Sequence, residues 1–343
     1  MQENIEAVLT QTYPNYRTIV VTDSEQDTAH SIAKVALARH PNADAHLHIS
    51  KSYGNASGKV AALLTALDMD DWASGAYAFV DSDALTPARW LRDMVDPLVD
   101  TSVGATTGFR WYFPANGGFW SHAAAAWNAS GTNLMFDERY NFPWGGAMAA
   151  LTETLKKVDI RSVWENAVSD DLSLDTTLRR HNYRTLFLPQ CTVVTQTRTT
   201  GSEFFNWATR QIALTRAFNR KLWNYGFAAY AFFSTTTTLG IICAGSGLLV
   251  SPPWLLPAAL LLAPSVLGVF RSNQRITTFK RALPEFAADF EKNRWADSIA
   301  SLIVPWVMTY CIIKSARIKE IDWRGRRYKL TGQSPLASTR SIS

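Results

Sequence analysis

Five aspartates and one lysine carry the chemistry that can be read from this chain. In AYAFVDSDALTP an apolar run ends on Asp81 and Asp83, two like charges one residue apart. With Ser82 turning the chain between them, both carboxylates can approach one divalent cation or one metal-bound diphosphate, and the cation removes their repulsion. Hard oxygen ligands of this kind suit Mg2+ or Mn2+, which keep waters and bridge to substrate phosphates. The alternative is that both aspartates cap a helix beginning near Pro87.

The remaining candidates have the same two-sided character. Lys59, in GNASGKVAAL, follows a glycine at the expected start of a helix. Backbone N–H groups and the helix dipole favour an anion there, although an ordinary exposed lysine reads the same way. Asp170 and Asp171, in AVSDDLSLDTTLRRHNYR, open another expected helix, as N-terminal caps or as reacting carboxylates. Gly145 and Gly146, in WGGAMAA, let backbone approach a substrate or simply make a tight turn.

Strands and helices must alternate to position these residues. IEAVLTQTYP has helical spacing, YRTIVVTDS is β-branched and ends on Asp23, and DTAHSIAKVALARHP reads as a second helix. A short strand at AHLHIS, a loop at YGNASGK, a helix through VAALLTALDM and the strand AYAFV follow. Such alternation predicts an α/β fold with a mostly parallel sheet covered by helices on both faces. Ligands of such sheets bind at the carboxyl ends of strands, where Asp23, Asp81 and Asp83 fall.

The rest of the chain is of another kind. From Gly226 to Phe270 there are 45 consecutive residues without Asp, Glu, Lys, Arg or His, interrupted at SPPW. A membrane helix needs roughly 20 apolar residues, so this stretch predicts two transmembrane helices in a hairpin; soluble helices seldom lack a polar face over such a length. A third stretch, Ser298 to Ile313, is uncharged for 16 residues and carries Pro305. It reads as a short span, a re-entrant segment or an interfacial helix.

The net charge of +5 does not point to nucleic acid, because the basic residues gather beside the apolar segments. Arg216, Arg220 and Lys221 precede the hairpin, Arg271, Arg275, Lys280 and Arg281 follow it, and Lys314 to Lys329 contains seven more. Positive flanks face the cytoplasm, which places both ends of the chain and the 271–297 linker on that side. A third segment that enters and returns on one side, bending at Pro305, satisfies this parity. Cys191, Cys243 and Cys311 lie far apart and suggest neither a disulfide framework nor a metal site. The polar opening MQENIEAVLT lacks the pattern of a secretory leader, and TGQSPLASTRSIS, residues 331–343, has the composition of a disordered tail.

Taken in order, QTYPNYRTIVVTDSEQDTA, SGKVAAL, VDSDALTP, WGGAMA, SDDLSL, FFNWATRQ and WRGRRYKL resemble a family 2, GT-A fold, membrane-attached glycosyltransferase. Within that family the likeness is to the ceramide glucosyltransferase group and its bacterial lipid glucosyltransferase relatives, over about residues 3 to 330. The resemblance implies a nucleotide-sugar transferase catalytic domain at 1–221, a transmembrane hairpin at 222–270, a cytoplasmic linker at 271–297, a third membrane or re-entrant segment at 298–313 and a basic cytoplasmic tail at 314–343.

It also implies roles. Asp23 holds the nucleobase and ribose of a UDP-hexose, Asp81 and Asp83 engage the ribose and the diphosphate with its Mg2+ or Mn2+, and Lys59 assists the donor. Asp171 is the general base toward the acceptor hydroxyl, with Asp170 as the alternative. Gly145, Gly146, Trp207 and Arg210 are acceptor or diphosphate contacts. The implied reaction is inverting transfer of a hexose, glucose above all, to a membrane lipid hydroxyl such as that of ceramide or diacylglycerol. A processive polysaccharide synthase and a non-catalytic membrane scaffold are the alternatives.

Two departures stand out. Where relatives carry Gln or Arg, two residues, then Arg-Trp, this chain reads EFFNW, with Glu203 and Asn206 at the polar and basic positions and Trp207 retained. The family also begins with a strand ahead of the first helix, whereas this sequence starts inside that helix. A truncated gene model, or a true start upstream, is the expectation.

Overall fold

The alternation of strands and helices is present in the computed structural model, which describes residues 1–115, 118–323 and 326–330. The polar run 331–343 and the Arg-Gly pair 324–325 of WRGRRYKL lie outside the described residues. The chain divides into two units. The first gathers residues 1–111, 132–195 and 319 onward, and the second gathers 112–131 and 196–318.

The first unit opens with α1 (Gln2–Leu9), β1 (Thr18–Thr22), α2 (Thr28–Arg39), β2 (Ala45–Ile49), α3 (Gly58–Met69), β3 (Ala76–Val80), α4 (Trp90–Val95) and β4 (Val103–Thr107). The strand β5 (Arg110–Pro114) and helix α5 (Phe119–Met135) then lead into the second unit and back. The first unit continues with β6 (Ala147–Leu151), α6 (Thr152–Lys157), α7 (Ile160–Trp164), α8 (Asp170–Arg180), β7 (Arg184–Phe187) and β8 (Val193–Thr197), whose last residues belong to the second.

Parallel and antiparallel pairings both occur in the first unit. β1 and β2 form a parallel pair, while β3, β6, β4 and β7 make a four-stranded sheet in that order. β4 and β7 are parallel, and β6 runs antiparallel to both of its neighbours. The first four residues of β6, Ala147 to Ala150, are buried, as befits a central strand covered on both faces. Leu64 and Leu67 of α3, Phe79 of β3, Met148 of β6, Trp164 of α7 and Leu174 of α8 pack into one core. Removing each such side chain from water contributes about 1.5–3 kcal/mol.

The second unit is helical: α9 (Gly201–Phe218), α10 (Arg220–Leu249), α11 (Leu255–Ala282), α12 (Ala287–Ala300) and α13 (Val304–Ser315). Glu203, one of the residues that departs from the family pattern, has a local purpose. The Thr200 hydroxyl accepts from the Glu203 N–H and the Glu203 carboxylate accepts from the Thr200 N–H at 2.8 Å, a reciprocal cap that starts α9. A final antiparallel hairpin, β9 (Glu320–Trp323) and β10 (Arg326–Lys329), returns to the first unit.

Among the described residues two helices, Arg220–Leu249 and Pro252–Ala282, are long and apolar enough to cross a membrane. Leu239, Ile242, Leu256, Leu260 and Leu267 are exposed on them. The third apolar stretch is split: α12 with the short turn before it and α13 meet at 64°, as one broken span or a re-entrant loop. The break falls at residues 301–303, ahead of Pro305. That proline instead sits in the first turn of α13, where a missing N–H leaves no bond unmade.

Close approach and polar contacts hold these helices together, since lipid tails are as apolar as leucine. Thr237 and Ser265 hydrogen bond between α10 and α11, and the Trp306 indole donates to Thr238 at 3.0 Å. At Gly240 an added methyl carbon would lie 2.7 Å from Leu262 Cγ, whereas at Gly268 it would meet nothing within 4 Å. Gly240→Ala is therefore expected to lose about 1–3 kcal/mol and Gly268→Ala to be neutral or mildly stabilising. Thermal melts of the two variants in one detergent check this, and equal midpoints would refute the close packing.

Candidate active site

The strand end at β3 delivers Asp81 and Asp83, and an arginine far along the chain meets both. The next helix, α4, begins only at Trp90 and has no side-chain cap, so neither aspartate caps it. Arg110, the first residue of β5, grips Asp83 with both prongs of its guanidinium: Nη1 to Oδ2 at 2.8 Å and Nη2 to Oδ1 at 2.7 Å. Nη2 also donates to Asp81 Oδ2 at 2.7 Å, and the guanidinium lies 4.9 Å from the Trp144 ring centroid.

Lys59 continues the array on its other side. Ser57 caps α3 by accepting from the Val60 N–H, which puts Lys59 in the first turn. Its Nζ lies 2.9 Å from Asp81 Oδ1 and 3.1 Å from Asp170 Oδ2, and donates to the Gly145 carbonyl at 3.1 Å. The order Asp83, Arg110, Asp81, Lys59, Asp170 thus alternates in charge throughout. Ion pairs of this kind are retained where removing one partner would strand a desolvated charge.

α8 supplies the acidic end. The Trp164 indole donates to the Asp170 carbonyl at 3.2 Å, tying the start of that helix to the core. The Asp170 side chain is only 3% exposed. Gly145 makes room for it, because a methyl carbon there would sit 2.1 Å from Asp170 Oδ2. The Gly146 carbonyl accepts from the Asp81 N–H at 3.3 Å. Asp171 is half-buried, and its Oδ1 accepts from the Ser169 hydroxyl and from the Leu172 N–H at 2.7 Å.

The charges act on one another. Burial works against the Lys59 ammonium, but Asp170, Asp81 and Asp171 outweigh it and raise its pKa. Asp170 is likewise raised, by burial first and then by the like charges of Asp171 and Asp81, with Lys59 opposing. One turn on, burial pushes Asp175 up to about 6; Arg179 opposes this and Asp171 adds to it.

The first unit therefore joins Lys59, Asp81, Asp83, Asp170 and Gly145 in one cluster, with Gly146 bonded to Asp81. Asp23 is exposed at the end of β1, and among the described residues no hydrogen bond or ion pair links it to the cluster. Trp207 and Arg210 belong to α9 in the second unit, where Trp207 meets Trp127 edge-on at 4.7 Å and Tyr112 at 5.6 Å. Sequence reasoning missed Arg110 and Trp144's role beneath it. Arg110 stands in GFRWYFP, a stretch with no chemical motif, and only the pairing of two aspartates without a visible counter-charge hinted that a cation was owed.

Among the described residues no group of three or more His, Cys, Asp or Glu converges as metal ligands. Asp81 and Asp83 offer oxygen donors only, the type a Mg2+-like ion takes alongside water and substrate phosphates, and each of those oxygens is paired with Arg110 or Lys59.

Asp175 gives a pH signature. Its carboxyl keeps a proton in the fold up to about pH 6, against an ordinary value of 3.8. Between those values the folded state binds more protons than the unfolded, so stability falls as pH rises through the window. Asp175→Asn removes this loss. Its advantage over the parent is expected to grow between about pH 4 and 6, to about 3 kcal/mol, and then level off. Denaturant midpoints across pH check it; a difference constant with pH would overturn it.

A family model described as glycosyltransferase like family 2 matches residues 1–213. No curated protein matches the chain. The match takes in α1 through most of α9, with every member of the carboxylate and cation cluster, and covers more than half of the 343 residues; the chain belongs to the family 2 glycosyltransferases.

Proposed function

We propose that the protein is an inverting transferase that moves a hexose, glucose from UDP-glucose in the first instance, onto a membrane lipid hydroxyl of the ceramide or diacylglycerol type. The family implies a nucleotide-sugar donor and an acceptor. The observation that carries the finer reading is the alternating Asp83–Arg110–Asp81–Lys59–Asp170 cluster in a chain that goes on to two apolar helices of membrane length. Carboxylates and cations clustered in this way suit a diphosphate donor, and helices of membrane length suit a lipid alcohol as acceptor.

The chemistry follows from the residues. An acceptor hydroxyl oxygen forms a bond to the anomeric carbon while the bond from that carbon to the β-phosphate oxygen breaks, and the electron pair leaves with UDP. The hydroxyl proton passes to a carboxylate. Asp171 supports that role better than Asp170: Asp170 is buried and committed to Lys59, whereas Asp171 is half-buried with both of its hydrogen bonds on Oδ1. Lys59 and Arg110 lie at hand to stabilise charge growing on the leaving diphosphate. A Mg2+ or Mn2+ ion held by Asp81 and Asp83 would add electrostatic stabilisation of that leaving group. Asp23 is assigned to the nucleoside and Trp207 and Arg210 to the acceptor or the diphosphate, on the family resemblance alone.

Membrane topology follows the same logic. The first unit contains both residues 1–111 and the hairpin after Lys319, which supports a topology that keeps them on one side, with an even number of crossings between them. Two spans with a re-entrant α12–α13 pair meet that condition, and the basic residues at the hairpin's flanks favour the cytoplasmic side. Cysteines placed at Gln274 and Lys329 are expected to react with a membrane-impermeant maleimide only after the membrane is opened. Labelling of one alone in intact cells would give an odd number of crossings and defeat this arrangement.

The transfer itself is checked in membranes containing ceramide or diacylglycerol, with radiolabelled UDP-glucose and Mg2+ or Mn2+. Label is expected in an organic-extractable glycolipid, falling by about 10²–10⁴-fold in Asp171→Asn, the range for loss of a general base. Label confined to insoluble polymer would replace the lipid acceptor with a growing polysaccharide, and no turnover would leave a scaffold.

A further inference from the structure

All four carboxylate oxygens of Asp81 and Asp83 are engaged by protein cations: three by Arg110 and one by Lys59. An ion bound by these aspartates must therefore displace a cation. Lys59 has two further anchors, Asp170 at 3.1 Å and the Gly145 carbonyl at 3.1 Å, and both lie on the buried side. The Arg110 fork to Asp83 lies outward, on a carboxylate side chain that is 60% exposed, while the Arg110 side chain is 10% exposed and braced by Trp144. The outward fork is the contact that solvent, and whatever arrives from solvent, reaches first.

We propose that Arg110 is a built-in counter-ion: it neutralises Asp81 and Asp83 while the site is empty, yields Asp83 to an incoming divalent cation, and turns its freed fork to the donor diphosphate. The identity of that diphosphate rests on the nucleotide-sugar reading above. A planar guanidinium fits a phosphate as well as it fits a carboxylate, in the same two-pronged geometry. The exchange needs no large rearrangement, because Trp144 keeps the guanidinium plane in place while its partner changes. It also explains how two like charges sit one residue apart in a partly buried site before any ligand has arrived. Arg110 is by this account a competitor of the metal before donor binding and a ligand of the donor afterwards.

The test uses the full chain in nanodiscs, with free Mn2+ read by electron paramagnetic resonance in the absence of nucleotide. Arg110→Gln is expected to bind Mn2+ about tenfold more tightly than the parent, because the competing cation is gone, yet to bind UDP about tenfold more weakly at saturating Mn2+. Arg110→Lys should fall between, having charge without the fork. Unchanged or weaker Mn2+ binding by a folded Arg110→Gln overturns the proposal. If that variant does not fold, Trp144→Leu replaces it: loosening the guanidinium should tighten Mn2+ binding a few-fold, and no change overturns the proposal equally. Tighter Mn2+ binding without any nucleotide-sugar turnover would defeat the transferase reading and leave the competition standing. Turnover with unaltered Mn2+ affinity would do the reverse.

Discussion

Three carboxylates brought together in a partly buried place are the constraint on which the first unit depends. Asp81 and Asp83 come from the end of β3 and Asp170 from the start of α8, and none could approach the others without Lys59 and Arg110 between them. Each cation is itself placed by a local device: a serine cap at the head of α3 for Lys59, a strand start and an indole face for Arg110. Removing either would leave a desolvated charge without a partner, a much larger disturbance than the loss of a surface ion pair.

Much of the frame was legible because its signals are local. The β-branched run before Asp23, the helix after Ser57 and the apolar strand before Asp81 all fall where spacing and caps put them. The pair of long apolar helices was equally plain, since 45 residues run without a charge. The antiparallel entry of β6 was not legible, because strand direction is decided by connections dozens of residues long rather than by the strand's own residues. Arg110 was invisible for the same reason: its partners lie 27 and 29 residues away and no motif surrounds it.

The second unit shows how a departure from a family pattern can have a local cause. Glu203, which departs from the pattern the resemblance implies, closes a capping box at the head of α9. Trp207 sits among aromatic rings from β5 and α5. The bend near Pro305 makes a similar point. The proline begins a helix instead of breaking one, so the turn lies just before it.

The hairpin of β9 and β10 has a consequence for biosynthesis. Residues 1–111 and 132–195, with the whole charge cluster, leave the ribosome before α10 and α11, and they can begin to fold as an N-terminal body in the usual vectorial order. The same body is completed only by strands translated after the last apolar helix. Synthesis of the two long apolar helices therefore falls between the first and the last strands of the first unit, and that unit cannot be complete until α10 and α11 have been made.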